Sequence, residues 1–187
     1  MSQQLANKKI AFVVANEGIE QIELTRPWDA VVEAGGTPVL IAPEAGSAQA
    51  MNHLDKGDEF PVDATFADVS PEDFDAIVLP GGVANPDRLR TDATAVAWVR
   101  DFVESGRPTA VICHAPWTLV EAGVVRGRRI TSWPSLQTDI RNAGGNWVDE
   151  QVVVDGNLIT SRKPDDLDAF CAAFVEAAAD ARASSAA

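Results

Sequence analysis

Residues 107–123, RPTAVICHAPWTLVEAG, decide how the rest of the chain reads. Five residues of strand character, 109–113, run without a linker into a helical pattern that closes at Gly123. At the join stand Cys113 and His114. A nucleophile at the apex of a strand-to-helix turn is exposed and faces the unpaired N–H groups of the helix start. Those groups and the helix dipole favour a thiolate, so the corner is expected to activate the sulfur. The small residues usual two positions either side are half present, with Val111 before and Ala115 after. The bland alternative is a packed thiol beside a helix-start histidine that points into solvent.

Outward from this corner, strand and helix signals alternate along the chain. KKIAFVVA, TPVLIAP, DAIVLPGG, PTAVIC and RRITSW read as strands. EQIELTRPWDAVVEAGG, TDATAVAWVRDFVESG, HAPWTLVEAG and LQTDIRNAGG read as helices. The first of these has Pro27 as a local irregularity and Gly35-Gly36 as its stop. Residues 44–69 lack periodicity and read as a loop with short edge strands. SPEDF offers Ser70 as an N-cap ahead of Pro71. QVVVDGNLITS reads as a hairpin turning at Asp155-Gly156, a last helix starts near Pro164, and ARASSAA reads as a frayed tail. This pattern predicts one domain of 187 residues with a mostly parallel sheet and helices on both faces. Ligands bind such sheets beyond the carboxyl ends of the strands. Cys113, Gly81-Gly82 and the segment after Ala15 all fall at ends of that kind.

Composition excludes several function classes. Net charge is −13, with 28 acidic residues against 15 basic ones, so a phosphate backbone is repelled and no nucleic-acid partner is expected. No apolar run reaches the roughly 20 residues of a membrane span. The first apolar run ends in Asn16-Glu17-Gly18, which suits a strand better than a cleaved leader, and the expected location is cytoplasmic. Cys171 sits on the stripe Leu167, Phe170, Cys171, Phe174, Val175 and Ala178, the spacing of a core-facing helix. It reads as a buried structural thiol, and no disulfide with Cys113 is expected.

A thiol nucleophile needs a base. No histidine follows His114, which removes the papain-like order and any downstream His-x-Glu pair. His53 lies in the irregular segment and reads as a solvated loop residue, leaving His114 as the candidate. Gly81 and Gly82 end a strand, where backbone N–H groups can approach a developing oxyanion. Glu17, Glu20 and Glu23 follow the first strand. Glu20 and Glu23 share a face on the opening turn of a helix, and one of them could point across the crevice at Cys113. Protonated, it would hydrogen-bond the thiolate or its oxidised forms; ionised, it would raise the thiol pKa. No metal-ligand spacing, P-loop or G-x-G-x-x-G is present, so no cofactor is expected.

AVICHAPWTL after DAIVLPGGVANPDRLR, with ANEGIEQIEL upstream and ITSWPSLQTDIRNAGGNWVDEQVVVDGNLITSR downstream, resembles the PfpI-like intracellular protease and general stress protein family. That family lies within the superfamily of the parkinsonism-associated deglycase, related to class I glutamine amidotransferases. The resemblance covers about residues 8–178 and implies a flavodoxin-like α/β three-layer sandwich with a nucleophile elbow. It also implies assembly as a homodimer or hexamer. By position, Cys113 matches the elbow cysteine and His114 its neighbouring histidine. Glu23 matches the carboxyl beside the sulfur, with Glu20 as rival. Gly81, Gly82 and the His114 N–H match the oxyanion region, while Trp133 and Pro134 match residues near the crevice. Asp87 stands where a neighbouring subunit supplies the acid, one methylene shorter than the family's glutamate. The implied function is stress-response, cysteine-dependent hydrolysis of methylglyoxal and glyoxal adducts, free or on damaged proteins, of deglycase or glyoxalase III type with weak peptidase action. The alternative is a redox sensor or protective chaperone working through oxidation of Cys113.

Overall fold

A computed structural model describes residues 3–181. The first strand, β1 (Lys9–Val13), leads through the short strand β2 (Glu17–Glu20) into helix α1 (Gln21–Glu33) and back to β3 (Thr37–Ala42). A hairpin, β4 (Ser47–Asn52) and β5 (Asp55–Pro61), precedes the two-residue β6 (Ala64–Thr65). Then come β7 (Ala76–Leu79), α2 (Ala84–Leu89), α3 (Ala93–Glu104), β8 (Thr109–Ile112) and α4 (Pro116–Ala122). The remainder is β9 (Arg129–Ile130), α5 (Gln137–Asn142), β10 (Asn146–Trp147), β11 (Val152–Asp155), β12 (Leu158–Ser161) and α6 (Leu167–Asp180).

The central sheet has the order β11-β12-β8-β7-β1-β3-β6. Every neighbouring pair is parallel except β11 with β12. Alternation along each strand feeds two cores. Ile10, Phe12 and Val14 face α1 and α6, packing with Ile112, Phe170 and Phe174. Ala11 and Val13 face the other way, with Ile77, Leu79, Val111, Phe102 and Leu119 under α3, α4 and α5. The predicted three-layer arrangement is therefore observed. From β1 the chain runs first to β3 on one side and later to β7 and β8 on the other. The crevice above β1 and β7 is the point where strand order reverses, the place where such sheets bind ligands.

Three local expectations need correction. Residues 47–61 form a full antiparallel hairpin, where only a loop with short edge strands was expected. The side chains of β5 are mostly solvated, so no buried alternation advertises the strand. Residues 84–89 form a helix, which places Asp87 on a helical turn instead of in a loop. Pro86 sits in its first turn, where its missing N–H costs nothing. Glu20 belongs to β2, and α1 starts one residue later, so only Glu23 is helical. The capped turn after Ser70 is observed, with Ser70 N–H donating to Asp73 Oδ2 at 2.8 Å. The tail expected to fray lies, beyond Ala181, outside the described residues.

Candidate active site

Cys113 leaves β8 with φ +63°, one of few non-glycine residues in the left-handed region. An L-residue there costs about 1–2 kcal/mol, so the surroundings must hold it. They do so at both backbone groups. Cys113 N–H donates to the Ser161 carbonyl of β12 at 3.1 Å, and its carbonyl accepts from Trp133 N–H at 2.9 Å. The corner closes with Ala115 N–H donating to the Ile112 carbonyl at 3.0 Å. Strain tied down on two sides fixes the Sγ direction.

The glycine pair stands directly against this corner. A Cβ on Gly81 would lie 2.5 Å from Glu23 Oε2 and 2.6 Å from Cys113 Cβ, and one on Gly82 2.3 Å from the Gly18 carbonyl oxygen. Both positions demand glycine on space, and Gly82 also on its φ of +86°. The close approach aims backbone donors inward. Gly81 N–H donates to Glu23 Oε2 at 3.0 Å, while the Gly82 and His114 N–H groups act on the Cys113 sulfur and favour its ionised form.

Glu23, on the first turn of α1, is fully buried and lines the cavity beside Cys113. Its Oε1 has no partner of normal geometry. Burial pushes this carboxyl up to about 8, with the Cys113 side-chain bond and the Gly81 and Gly82 N–H groups opposing the rise and the charge of Glu20 adding to it. At neutral pH Glu23 keeps its proton. Glu20, the rival, is turned to the rim: its Oε2 accepts from His53 N–H at 3.1 Å and stands 4.0 Å from His53 Nδ1. The structure thus places Glu23 at the sulfur.

Burial also raises the Cys113 thiol, the charge of an ionised Glu23 raises it further, and the N–H groups of Gly82 and His114 pull it down. The activating N–H groups of the corner are thus opposed by burial at the sulfur itself. Helix α4 begins only at Pro116, so the sulfur meets two individual N–H groups instead of a full helix terminus, and desolvation wins. Below about pH 8 the Glu23 charge is absent and its O–H becomes a donor to sulfur. The thiolate is then the better matched partner.

His114 Nδ1 lies 3.2 Å from Cys113 Sγ. Its ring stacks on Trp133 with centroids 5.7 Å apart and tilts against Trp117 at 5.4 Å. Nε2 approaches Ser135 Oγ at 3.5 Å. Burial holds the imidazole down to about 4, so it is neutral at pH 7 and free to accept a proton. Among the described residues no carboxylate pairs with the ring. Asp87 is exposed on α2 and lines an open groove with Arg90, Arg100 and Glu121. The chain by itself does not bring Asp87 to His114.

Above the sulfur lies a cavity of about 270 Å³ lined by Glu20, Glu23, Gly82, Cys113, His114 and Trp133, with the hairpin tip His53-Leu54, Val83 and Pro164 completing it. That is at the small end of ligand pockets. A more enclosed apolar cavity between Trp28, Leu40 and Phe60 has no cysteine or histidine in its wall. Among the described residues no group of three or more His, Cys, Asp or Glu could hold a metal ion, and no helix is long and apolar enough to cross a membrane. His53, read from sequence as a solvated loop residue, is exposed but joins the crevice wall, because the hairpin carries it over Glu20. Sequence reading missed Leu54, Pro164, Ser135 and Asn85. Asn85 is buried and bonded to three backbone groups, and its only signal was a polar residue following a glycine pair.

The DJ-1/PfpI family description matches residues 8–177. A Pyrococcus horikoshii protein named as a deglycase is 44% identical over 168 residues, covering 90% of this chain and 98% of its own. The Escherichia coli protein/nucleic acid deglycase 2 is 42% identical over 166 residues, covering 88% and 94%. Among solved structures, a two-domain Anabaena variabilis protein with DJ-1/ThiJ/PfpI-like and ferritin-like domains superposes with a TM-score of 0.84 at 32% identity. The match covers 91% of this chain and 48% of that one.

Proposed function

From a chain that belongs to the DJ-1/PfpI family, we propose a cysteine-dependent hydrolase that removes small carbonyl adducts of the methylglyoxal and glyoxal kind from thiols and amines. The observation that carries this reading is the corner itself: a sulfur held at positive φ, with His114 Nδ1 at 3.2 Å, a buried carboxyl alongside and two N–H groups directed at it. Sγ bonds to the carbonyl-derived carbon of the adduct as that carbon's bond to the substrate nitrogen or sulfur breaks. His114 takes the thiol proton and returns it to the departing atom. Gly82 and His114 N–H groups stabilise negative charge near the sulfur, and water then releases the fragment. A cavity of about 270 Å³ suits small adducts better than the extended chain a peptidase must hold.

Among the described residues the neutral His114 has no orienting acid. Asp87, exposed and turned away from its own crevice, supplies it in this reading from a second copy, making the working unit a homo-oligomer. A second reading, regulation by oxidation of Cys113, draws on one observation: the unpartnered Glu23 Oε1 could bond an oxygen placed on the sulfur.

The test sets methylglyoxal, a methylglyoxal-modified thiol and a fluorogenic peptide side by side with wild type and Cys113→Ser. Turnover of the adduct that vanishes in the variant supports the proposal. Adduct turnover unchanged by the substitution overturns it, and peptide cleavage as the dominant activity redirects it to proteolysis.

A further inference from the structure

Asn85 is 1% exposed although its side chain is an amide. Burying such a group is unfavourable unless its polar atoms are paired, and here they are. Its Oδ1 accepts from Ala15 N–H at 2.7 Å, just past the end of β1. Its Nδ2 donates to the carbonyls of Pro80 at 2.8 Å and Gly81 at 3.2 Å, just past the end of β7. The β1–β7 register ends at Phe12 and Val78, and beyond it the carboxamide joins the two segments by bonding both. The Gly81 carbonyl accepts in addition from Glu20 N–H at 3.3 Å.

These bonds fix the orientation of one peptide plane. The Gly81 carbonyl belongs to the same rigid unit as the Gly82 N–H. Pinning the carbonyl toward Asn85 therefore directs the Gly82 N–H the opposite way, to the side on which Gly82 and Cys113 line one cavity and Cys113 Cβ crowds Gly81. Pinning the Pro80 carbonyl does the same for the Gly81 N–H, which reaches Glu23 Oε2 at 3.0 Å. Glycines rotate freely, so without a brace both N–H groups could turn away at little cost. We propose that Asn85 is a positioning residue for the reaction, acting through the Pro80–Gly81 and Gly81–Gly82 peptides to aim the N–H donors of Gly81 and Gly82 at Glu23 and Cys113. It touches neither sulfur nor substrate. The proposal rests on Cys113 being the reactive sulfur of the reading above.

The test reads the sulfur directly and needs no substrate, so its failure is distinguishable from failure of the deglycase reading. Cys113 alkylation by iodoacetamide is followed by peptide mapping from pH 6 to 10 in wild type, Asn85→Ala and Thr109→Val. Thr109 is buried in β8 away from the glycine pair and serves as a control for general loosening. The expected result is a roughly tenfold slower reaction at pH 7 in Asn85→Ala, with the profile displaced upward by about one pH unit. Thr109→Val keeps the wild-type profile, and on any turned-over substrate Asn85→Ala lowers kcat with little change in KM. A wild-type profile in folded Asn85→Ala, or the same displacement in both variants, overturns the proposal. If Asn85→Ala does not fold, the wild-type protein decides. The Asn85 side-chain NH₂ resonances should resist solvent exchange and shift when Cys113 is alkylated; rapid exchange or no shift would contradict the brace.

Discussion

The two cysteines are 6% and 3% exposed, and burial raises both thiols, Cys171 to about 11. By exposure they are the same residue. What differs is the geometry around each sulfur. Cys171 sits mid-helix among Leu167, Phe170 and Phe174, with its backbone committed to α6. Cys113 sits outside any element at positive φ, facing two backbone N–H groups, an imidazole and a protonated carboxyl. Burial therefore does not separate the two thiols. The donors aimed at them do.

The sharpest break of this comparison is Cys113→Ser against Cys171→Ser. Adduct turnover should fall by at least about 10³-fold in the first, since the hydroxyl is a far weaker nucleophile at neutral pH, and stay within about twofold in the second. Steady-state rates on a methylglyoxal-modified thiol measure both.

Glu23 sharpens the contrast through stability. In the fold it holds its proton up to about pH 8, against the ordinary 4.5 of a glutamate in the unfolded chain. The folded protein thus binds the extra proton, and stability falls as pH rises from about 4.5 to about 8, then stays low. The full linkage amounts to about 5 kcal/mol. Glu23→Gln removes it, so the variant should be more stable than wild type by about 3 kcal/mol at pH 7, and by more above pH 8. His114 titrates in the opposite sense between 6.5 and about 4, but is common to both proteins and cancels in the difference. Denaturant melts at pH 5, 7 and 9 check this; a variant no more stable at pH 9 than at pH 5, relative to wild type, contradicts the buried-acid picture.

Asp87→Asn should lower turnover by about 10- to 100-fold, less than in a well-built triad, because a thiolate depends less on its base. Mixing it with Cys113→Ser under subunit exchange should restore activity, since one crevice of a mixed oligomer then carries both intact residues. Verified exchange with no recovery removes the shared site. The smallest effect is expected of Trp133→Ala, which loses the ring stacked on His114: a rise in KM of about threefold to tenfold, with Cys113 still the faster cysteine to alkylate.

The sequence showed the parallel sheet, the elbow and the Cys113–His114 pair because apolar runs such as AFVV and AVIC are buried on both faces and read without ambiguity. It left Glu20 and Glu23 unresolved, since residues three apart at a helix start share a face, and only the boundary that leaves Glu20 on β2 and Glu23 on α1 separates them. The hairpin of residues 47–61 was illegible for a different reason: the side chains of DKGDEFP are mostly solvated and carry little pattern. His53 and Leu54 were lost with it. Asn85 was hidden because its task is set by three backbone partners distant in sequence or masked by a turn signal, and no spacing rule encodes them. The pull of the helix start on the sulfur is opposed by burial, because α4 begins only at Pro116, and apolar runs in the sequence do not show how deeply one atom is desolvated.

The most direct measurement is brief iodoacetamide labelling of the native wild-type protein at pH 7, followed by peptide mapping of both cysteines. The account predicts labelling at Cys113 at least about tenfold faster than at Cys171, with the advantage narrowing above pH 8 as Glu23 ionises beside the sulfur. Equal rates at the two cysteines, or an advantage that grows steadily through pH 9, would contradict it.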